Sequence, residues 1–183
     1  ALARLHPEQF ASDLFFRYGS QDRFSLYSSL YAPLVDTWGL TTAAFALTLA
    51  SLAALLAATW FLFAPWRGAF AAIVAMVAVA IWPVVYGASS VFQVAEPFAT
   101  PRPIASAFGL VAVAFAMRGK YAAAAFAGVA ALLLHPLMAL PALVLSALVS
   151  MSPARAIALG LLVMAVAISG AIAGVPVVER LLL

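Results

Sequence analysis

The chain has 183 residues, of which 67% are hydrophobic and only 8% are charged, against about 25% charged in ordinary soluble proteins. The charged residues are too few to cover the surface of a water-soluble protein. The apolar residues fall in long blocks separated by Pro, Gly and Arg, which is typical of a polytopic helical membrane protein. Nine scattered basic residues against six acids predict no nucleic-acid surface, and the absence of cysteine excludes disulfides, thiolate metal sites and a cysteine nucleophile.

The first 38 residues are too polar to cross a membrane, and from Phe24 onwards they carry apolar side chains at the spacing of one helical face. These side chains are Tyr27, Leu30, Tyr31 and Leu34. The pattern predicts an amphipathic helix lying on the membrane and leading, past Asp36 or Thr37 as a cap, into the first span. We therefore divide the chain into an extracytoplasmic segment, 1–38, and a membrane bundle, 39–183. Because the sequence starts without Met, we expect it to be part of a longer protein.

Long apolar runs predict the membrane helices. Runs 41–64 and 156–175 are clear spans, and 69–86 is nearly as good, with aromatic residues where an interfacial belt would lie. Run 103–117 is short, and 121–150 is interrupted by "HPLMALP". We predict an all-α bundle of about five to six membrane helices, some of half length, in a bacterial inner membrane.

The interrupted run favours a hairpin over one long helix. Pro136 and Pro141 each lack an N–H group and crowd the preceding turn. Two half-length helices, 121–134 and 136–150, would fold back at His135. The hairpin also places four basic residues on one side without any acid, which the positive-inside rule makes cytoplasmic. They are Arg67, Arg118, Lys120 and Arg155.

Glu96 and Arg102 fall on the opposite, outward side in this topology, beside a helix start marked by Pro101 and Pro103. The positive end of the helix dipole and the guanidinium group together predict a binding site for an anion such as a lipid phosphate or pyrophosphate. The alternative is structural: Arg102 reaches lipid head groups or pairs with Glu96.

Asp13 and Asp22 flank the stretch "LFFRYGSQ" in the extracytoplasmic segment. A carboxylate near a low-dielectric boundary can act as a general base or bind a divalent metal ion, although two acids nine residues apart match no recognised metal motif. The alternative is a solvated loop with an ion pair between Asp13 and Arg17. The sequence identifies no cofactor; a divalent ion at these acids is the one candidate.

His135 is the ionisable residue inside the strongly apolar run "LLLHPLMALP". Ionisable side chains inside a membrane are costly, which makes function the default hypothesis. Its position before Pro136 offers a structural alternative, in which the imidazole satisfies backbone carbonyls freed at the helix break. A haem or chlorophyll ligand is a weaker alternative, because no second histidine lies near it in the sequence.

Three stretches, "FASDLFFRYGSQDRFSLYSSLYAPL", "YGASSVFQVAEPFATPRPIASAFGL" and "LLLHPLMALPAL", resemble uncharacterised polytopic bacterial membrane proteins and, more distantly, the C-type polyprenyl-phosphate-dependent glycosyltransferases. That resemblance implies an acidic catalytic residue in the first extracytoplasmic loop, matched here by Asp13, and a polyprenyl-phosphate-linked sugar taken from the outer leaflet. It assigns the donor phosphate to Arg102, with Glu96, His135 and Asp22 completing the site. The chain departs from the family in lacking the first helix and the doubled acidic motif.

Two other classes of function stay open at this point. Broken helices near His135 are also what carriers use to build a substrate site, so the chain fits a transporter or channel component. Alternatively, its Ala-rich and Gly-rich faces suit a non-catalytic subunit packed against other membrane subunits. Membrane lipids are the partners common to all three hypotheses.

Overall fold

The fold is an α-helical bundle with one short β-ribbon, seen in a computed structural model that describes residues 2–13, 25–81, 85–86, 92–93, 96, 98–152, 154–155 and 157. Its elements are α1 (Leu2–Leu5), a 3-10 turn (Pro7–Phe10), α2 (Tyr27–Trp38), α3 (Leu40–Ile81), β1 (Val85–Tyr86), β2 (Phe92–Gln93), α4 (Pro101–Met117), α5 (Tyr121–Leu134) and α6 (Pro136–Ser150). The predicted helical architecture is confirmed. The predicted span 156–175 lies outside the described residues, except for Ile157.

Helix α3 reverses direction within its 42 residues. Gly68 has a φ of 80° and a ψ of 170°, a left-handed conformation that glycine adopts without steric cost. Val79 packs against the core cluster of Leu55, Ala58 and Ala107. In an unbroken helix Ala58 and Val79 would stand about 31 Å apart. The chain therefore folds back at Gly68, as the separate predicted runs 41–64 and 69–86 require.

Two helix boundaries differ from the sequence prediction. The second arm of α3 ends at Ile81 rather than at residue 86, because Val85 and Tyr86 pair with Gln93 and Phe92 in an antiparallel ribbon. The break between α2 and α3 falls at Gly39, with a φ of 76°, and not at a cap on Asp36 or Thr37. The end of α3 thus comes earlier in the chain, and the break after α2 later, than the polarity of the sequence predicted.

Contacts fix the directions of the remaining helices. Phe61 lies against Phe115, with ring centroids 5.3 Å apart, while Ala107 packs near Ala58, so α4 runs parallel to the first arm of α3. Gly128 of α5 faces Leu143 of α6, on the two sides of His135. Helices α5 and α6 therefore form the predicted hairpin, with the predicted boundaries 121–134 and 136–150.

This arrangement gives the bundle two distinct ends. The Glu96 end contains the start of α4 and the hairpin tip at His135, since Ile104 and Leu134 line one pocket. The Arg118 end contains the end of α4 and the end of the first arm of α3. Arg67 follows Phe61 by less than two turns and therefore lies at the Arg118 end as well.

Arg118 satisfies a backbone carbonyl that Pro65 leaves without a partner. Within α3 the carbonyl of Phe61 would accept from the N–H four residues later, which Pro65 lacks. The Arg118 Nη2 donates to this carbonyl at 2.6 Å, and its guanidinium carbon lies 4.3 Å from the centre of the Phe61 ring. Its Nη1 donates to the carbonyl of Ala114 at 2.5 Å. One side chain thus joins α3 to α4 at the point where α3 is weakened.

We expect Arg118→Met to lower the free energy of unfolding by about 1–3 kcal/mol, because it leaves the Phe61 carbonyl unsatisfied. Pro65→Ala restores the N–H donor within α3, so Arg118→Met should cost less in a Pro65→Ala background. A double-mutant cycle of thermal unfolding in detergent measures this coupling. Additive effects of the two substitutions would contradict the explanation.

Glycine lets α4 and α6 approach closely. A Cβ atom added at Gly109 would lie 2.8 Å from the Cβ of Ala142, too close for unmoved backbones. We therefore expect Gly109→Ala to destabilise the bundle by about 1–3 kcal/mol through overpacking. The compensating pair Gly109→Ala with Ala142→Gly should recover stability beyond the sum of the single changes. Thermal unfolding of the four proteins tests this contact.

Candidate functional site

The Glu96 end of the bundle contains the three ionisable side chains that are buried among the described residues, those of Glu96, His135 and Tyr27. Glu96 is 1% exposed and His135 is 6% exposed. The other buried polar side chains are the hydroxyls of Ser28, Ser51 and Thr59. We call Glu96, Thr100, Arg102, His135 and Tyr27 the Glu96 cluster. Buried ionisable groups are expensive unless paired, so their partners decide what this cluster can do.

Glu96 is held by two side chains from the start of α4. The Thr100 hydroxyl donates to Oε2, and the Arg102 Nη1 donates to Oε1. The Arg102 side chain is 18% exposed, so Arg102 reaches the surface while Glu96 is buried. The structural alternative, an ion pair between Arg102 and Glu96, is confirmed. Any phosphate bound at Arg102 would share the guanidinium group with this carboxylate.

The start of α4 is a weaker anion site than its dipole suggests. Pro101 and Pro103 occupy the first turn, as predicted, and neither has an N–H to offer. Thr100 is the N-cap residue, yet its side chain makes no capping hydrogen bond, since the hydroxyl donates to Glu96. The negative charge at this end of α4 is therefore the carboxylate of Glu96. The side chains of Thr100 and Arg102 bind it, rather than backbone N–H groups of the first turn.

His135 ends α5 and caps α6. Its backbone is extended, with φ −157° and ψ 98°, and its Nδ1 accepts from the N–H of Met138 at 3.3 Å. The imidazole therefore satisfies an N–H at the start of α6, not the carbonyls at the end of α5 that the sequence interpretation assigned to it. The hairpin tip at His135 lies at the same end of the bundle as the start of α4, since Leu134 and Ile104 line one pocket.

The freed carbonyls of α5 are bound by the segment preceding α2. The Ser25 hydroxyl donates to the carbonyl of Leu134 at 2.5 Å, and the backbone N–H of Leu26 donates to that of Leu133 at 2.8 Å. The same Ser25 oxygen accepts from the N–H of Tyr27 at 3.1 Å. Sequence reasoning missed this role of Ser25, because the two partners lie 109 residues apart.

Tyr27 is the second residue of the cluster that sequence reasoning did not assign. The side chain is 9% exposed, and among the described residues its hydroxyl is the buried polar side-chain atom without a hydrogen-bond partner. Burial raises the pKa of the Tyr27 phenol, and the nearby Tyr31 and the Glu96 carboxylate raise the pKa further.

An apolar pocket of about 200 Å³ adjoins the cluster, with no polar surface in its lining. Helices α2, α3, α4 and α5 all contribute. Its lining residues are Tyr27, Leu30, Tyr31, Leu34, Leu47, Ile104, Phe108 and Leu134. The apolar face of α2 predicted from the sequence is thus turned towards this pocket. Tyr27 lines this pocket and also carries the buried hydroxyl that has no hydrogen-bond partner among the described residues.

The two aspartates singled out from the sequence have different outcomes. Asp13 is exposed, directly after the 3-10 turn, and its N–H donates to the carbonyl of Phe10 at 3.1 Å. Asp22 and the Arg17 partner proposed for Asp13 lie outside the described residues. In the part of the chain that the structure describes, no three His, Asp or Glu side chains come together to hold a metal ion. The catalytic role of Asp13 stays a prediction.

Comparison with protein-family models, with curated proteins and with solved structures finds no match to this chain.

The ion pair predicts unequal effects for its two members. Arg102→Met leaves the carboxylate of Glu96 buried without a cation, and should destabilise the protein by about 3–5 kcal/mol. Glu96→Gln keeps an acceptor for Thr100 and leaves a charge on the more exposed partner, so it should cost less. The double variant Glu96→Gln with Arg102→Met should be more stable than Arg102→Met alone. Thermal unfolding in detergent gives the ranking; equal losses for the two single variants would contradict it.

Proposed function

We propose that this chain is a multi-pass bacterial inner-membrane protein that takes a lipid-phosphate-linked sugar at the outer leaflet, in the manner of the C-type polyprenyl-phosphate-dependent glycosyltransferases. The observation that carries the proposal is the Glu96 cluster: buried ionisable groups gathered at one end of an apolar bundle, beside an apolar pocket. A substrate with an anionic head and a hydrocarbon chain matches both features.

The membrane part of the proposal rests on α3 and on charge. Helix α3 is long and apolar enough to cross a membrane, and only 22% of its most apolar window is buried inside the structure. The core helix of a water-soluble protein would be mostly buried. Arg67, Arg118 and Lys120 share one end of the bundle without an acid among them, which favours that end as cytoplasmic. Helix α6 runs towards the same end, so Arg155 follows them.

The proposed roles follow from charge and position. Arg102 stabilises the phosphate that departs from the sugar, while Glu96 fixes the guanidinium group. His135 shapes the site from the hairpin tip. Asp13, in the extracytoplasmic segment, acts as the base that takes a proton from the acceptor hydroxyl, with Asp22 nearby in sequence. In this scheme the first 38 residues supply the base, and residues 39–183 supply the membrane bundle and the phosphate site.

A carrier is the second candidate, favoured by the broken pair α5 and α6. Such a protein would need Glu96 and His135 to line a path for its substrate. Both side chains are almost fully buried, and neither lines the apolar pocket. A non-catalytic subunit would instead use its exposed apolar side chains for partner contacts. Sugar transfer accounts better for a cluster placed at one end of the bundle.

Binding of decaprenyl phosphate to the purified chain in lipid nanodiscs tests the proposal. We expect the double variant Glu96→Gln with Arg102→Gln, which leaves no unpaired buried charge, to bind at least about tenfold more weakly than wild type. Arg67→Gln, at the opposite end, is the matched control and should bind normally. Asp13→Asn should keep binding and lose sugar transfer from decaprenyl-phosphate-linked sugar. Equal affinities of the Arg102 and Arg67 variants would refute the phosphate site.

A further inference from the structure

Two turns at the Arg118 end contain the same three kinds of residue in mirror order: an aromatic residue, a cation and a glycine. They are Trp66, Arg67 and Gly68 where α3 reverses, and Gly119, Lys120 and Tyr121 where α4 meets α5. The two glycines have φ values of 80° and 70°, which glycine adopts without steric cost. Each turn therefore carries one cation beside one amphipathic aromatic side chain.

Contacts between α3 and α4 hold these two turns at one end of the bundle. Arg118 Nη2 donates to the carbonyl of Phe61 at 2.6 Å, and the rings of Phe61 and Phe115 have centroids 5.3 Å apart. The backbone N–H of Lys120 donates to the carbonyl of Phe115 at 2.9 Å. Arg67 follows Phe61 by about 9 Å along the first arm of α3. Both cations therefore lie next to the contact that Arg118 makes between the two helices.

The charges of Arg67 and Lys120 are not used within the described part of the chain. Arg118 donates to two backbone carbonyls, whereas Arg67 and Lys120 are exposed. Neither of these two side chains has a hydrogen bond or an ion pair with another described residue. The buried acid, Glu96, lies at the opposite end of the bundle. Both positive charges can therefore meet an anion from outside the protein.

The surface around the two cations is apolar. Trp66 and Tyr121 are each more than half exposed, and such side chains are enriched at the level of lipid head groups, because one end is apolar and the other is polar. Further along the helices, Phe70 of α3 is 81% exposed and Phe126 of α5 is 79% exposed. A small soluble anion would leave these rings uncovered. A partner with an anionic head and hydrocarbon chains matches both the cations and the rings.

We propose that the Arg118 end binds anionic phospholipids of the cytoplasmic leaflet, such as phosphatidylglycerol. Their phosphates lie at Arg67 and Lys120, and their acyl chains lie along the exposed apolar faces of α3 and α5. This inference rests on the membrane part of the proposed function and adds a lipid-binding surface that takes no part in sugar transfer. Each Lys or Arg near an anionic membrane surface favours binding by about fivefold, so the surface selects anionic over zwitterionic head groups.

Quenching of tryptophan fluorescence by brominated lipids measures this preference at one end of the bundle. The triple variant Trp38→Phe, Trp60→Phe and Trp82→Phe leaves Trp66 as the reporter. In nanodiscs of phosphatidylcholine, brominated phosphatidylglycerol should be preferred at Trp66 over brominated phosphatidylcholine by at least about fivefold. A chain that keeps only Trp38, which is exposed beside Gly39 and has Asp36 rather than a cation near it, is the matched control and should show no preference.

Substitution of the cations tests their part in the preference. Lys120→Gln and Arg67→Gln, each in the chain that keeps Trp66, should lower the preference about fivefold. Lys120→Arg keeps the charge and should keep the preference, and Arg4→Gln, at an exposed cation of the extracytoplasmic segment, should leave it unchanged. Salt at about 1 M should weaken the preference of the parent chain, because exposed charges are then screened.

Equal quenching of Trp66 by the two brominated lipids would overturn the inference. So would an unchanged preference after loss of both cations. Either result would leave Arg67 and Lys120 with the topological role that the positive-inside rule gives them.

The outcome is distinguishable from that of the proposed function. In nanodiscs with excess phosphatidylglycerol the Arg118 end is already occupied, so binding of decaprenyl phosphate reports on the Glu96 end. Normal binding of decaprenyl phosphate without a preference for phosphatidylglycerol at Trp66 would overturn this inference alone. A preference at Trp66 without binding of decaprenyl phosphate would support this inference and count against sugar transfer. Absence of quenching of Trp66 by either lipid would overturn both, because the bundle would then lie outside the bilayer.

Discussion

The architecture depends on finding a hydrogen-bond partner for each backbone group that is freed where an apolar helix breaks. In an apolar environment no water replaces a missing partner, so each break needs a specific donor or acceptor. At Pro65 the partner is Arg118, which donates to the carbonyl of Phe61. At the end of α5 the partners are Ser25 and Leu26, and at the start of α6 the partner is His135. Arg118, Ser25 and His135 are thus located where helices break, end or begin.

That constraint changes how a buried polar group should be interpreted. Arg118 and Ser25 have complete structural explanations, because their hydrogen bonds replace those that the backbone lost. Glu96 also has one, since its two carboxylate oxygens are bound by Thr100 and Arg102. Among the described residues, the hydroxyl of Tyr27 is the buried polar side-chain atom that has no such explanation.

The sequence predicted the features of the fold that depend on local rules. Two prolines in one apolar run predicted the hairpin at His135 with the boundaries that the structure has, and Pro101 with Pro103 marked the start of α4. Features that depend on distant partners were not predictable from one sequence. The β-ribbon that shortens α3 forms because Val85 and Tyr86 pair with Gln93 and Phe92. The sequence of neither two-residue strand predicts that pairing.

The candidate site was predicted in the same uneven way. Glu96, Arg102 and His135 stand out because charge is rare in this chain and because prolines beside them mark a helix start or a helix break. Whether Arg102 faces a lipid or pairs with Glu96 depends on the path of the loop between them, which has no periodic pattern. Tyr27 was counted only as an apolar residue, because its helical spacing describes the ring and gives no information about the hydroxyl. In an apolar bundle the amphipathic side chains, whose two ends have different environments, are the ones that sequence patterns describe least completely.

The ion pair at the start of α4 gives a physical reason for keeping charge in so apolar a chain. An isolated arginine beside so apolar a bundle would draw in water or extend to the surface, whereas one paired with a buried carboxylate is held at a fixed position. Because Pro101 and Pro103 remove backbone donors from the first turn, side chains must supply what binding there is. In the function proposed above, the guanidinium group of Arg102 meets the phosphate from a position that Glu96 already fixes. Burial of Glu96 is then the cost of holding Arg102 in place.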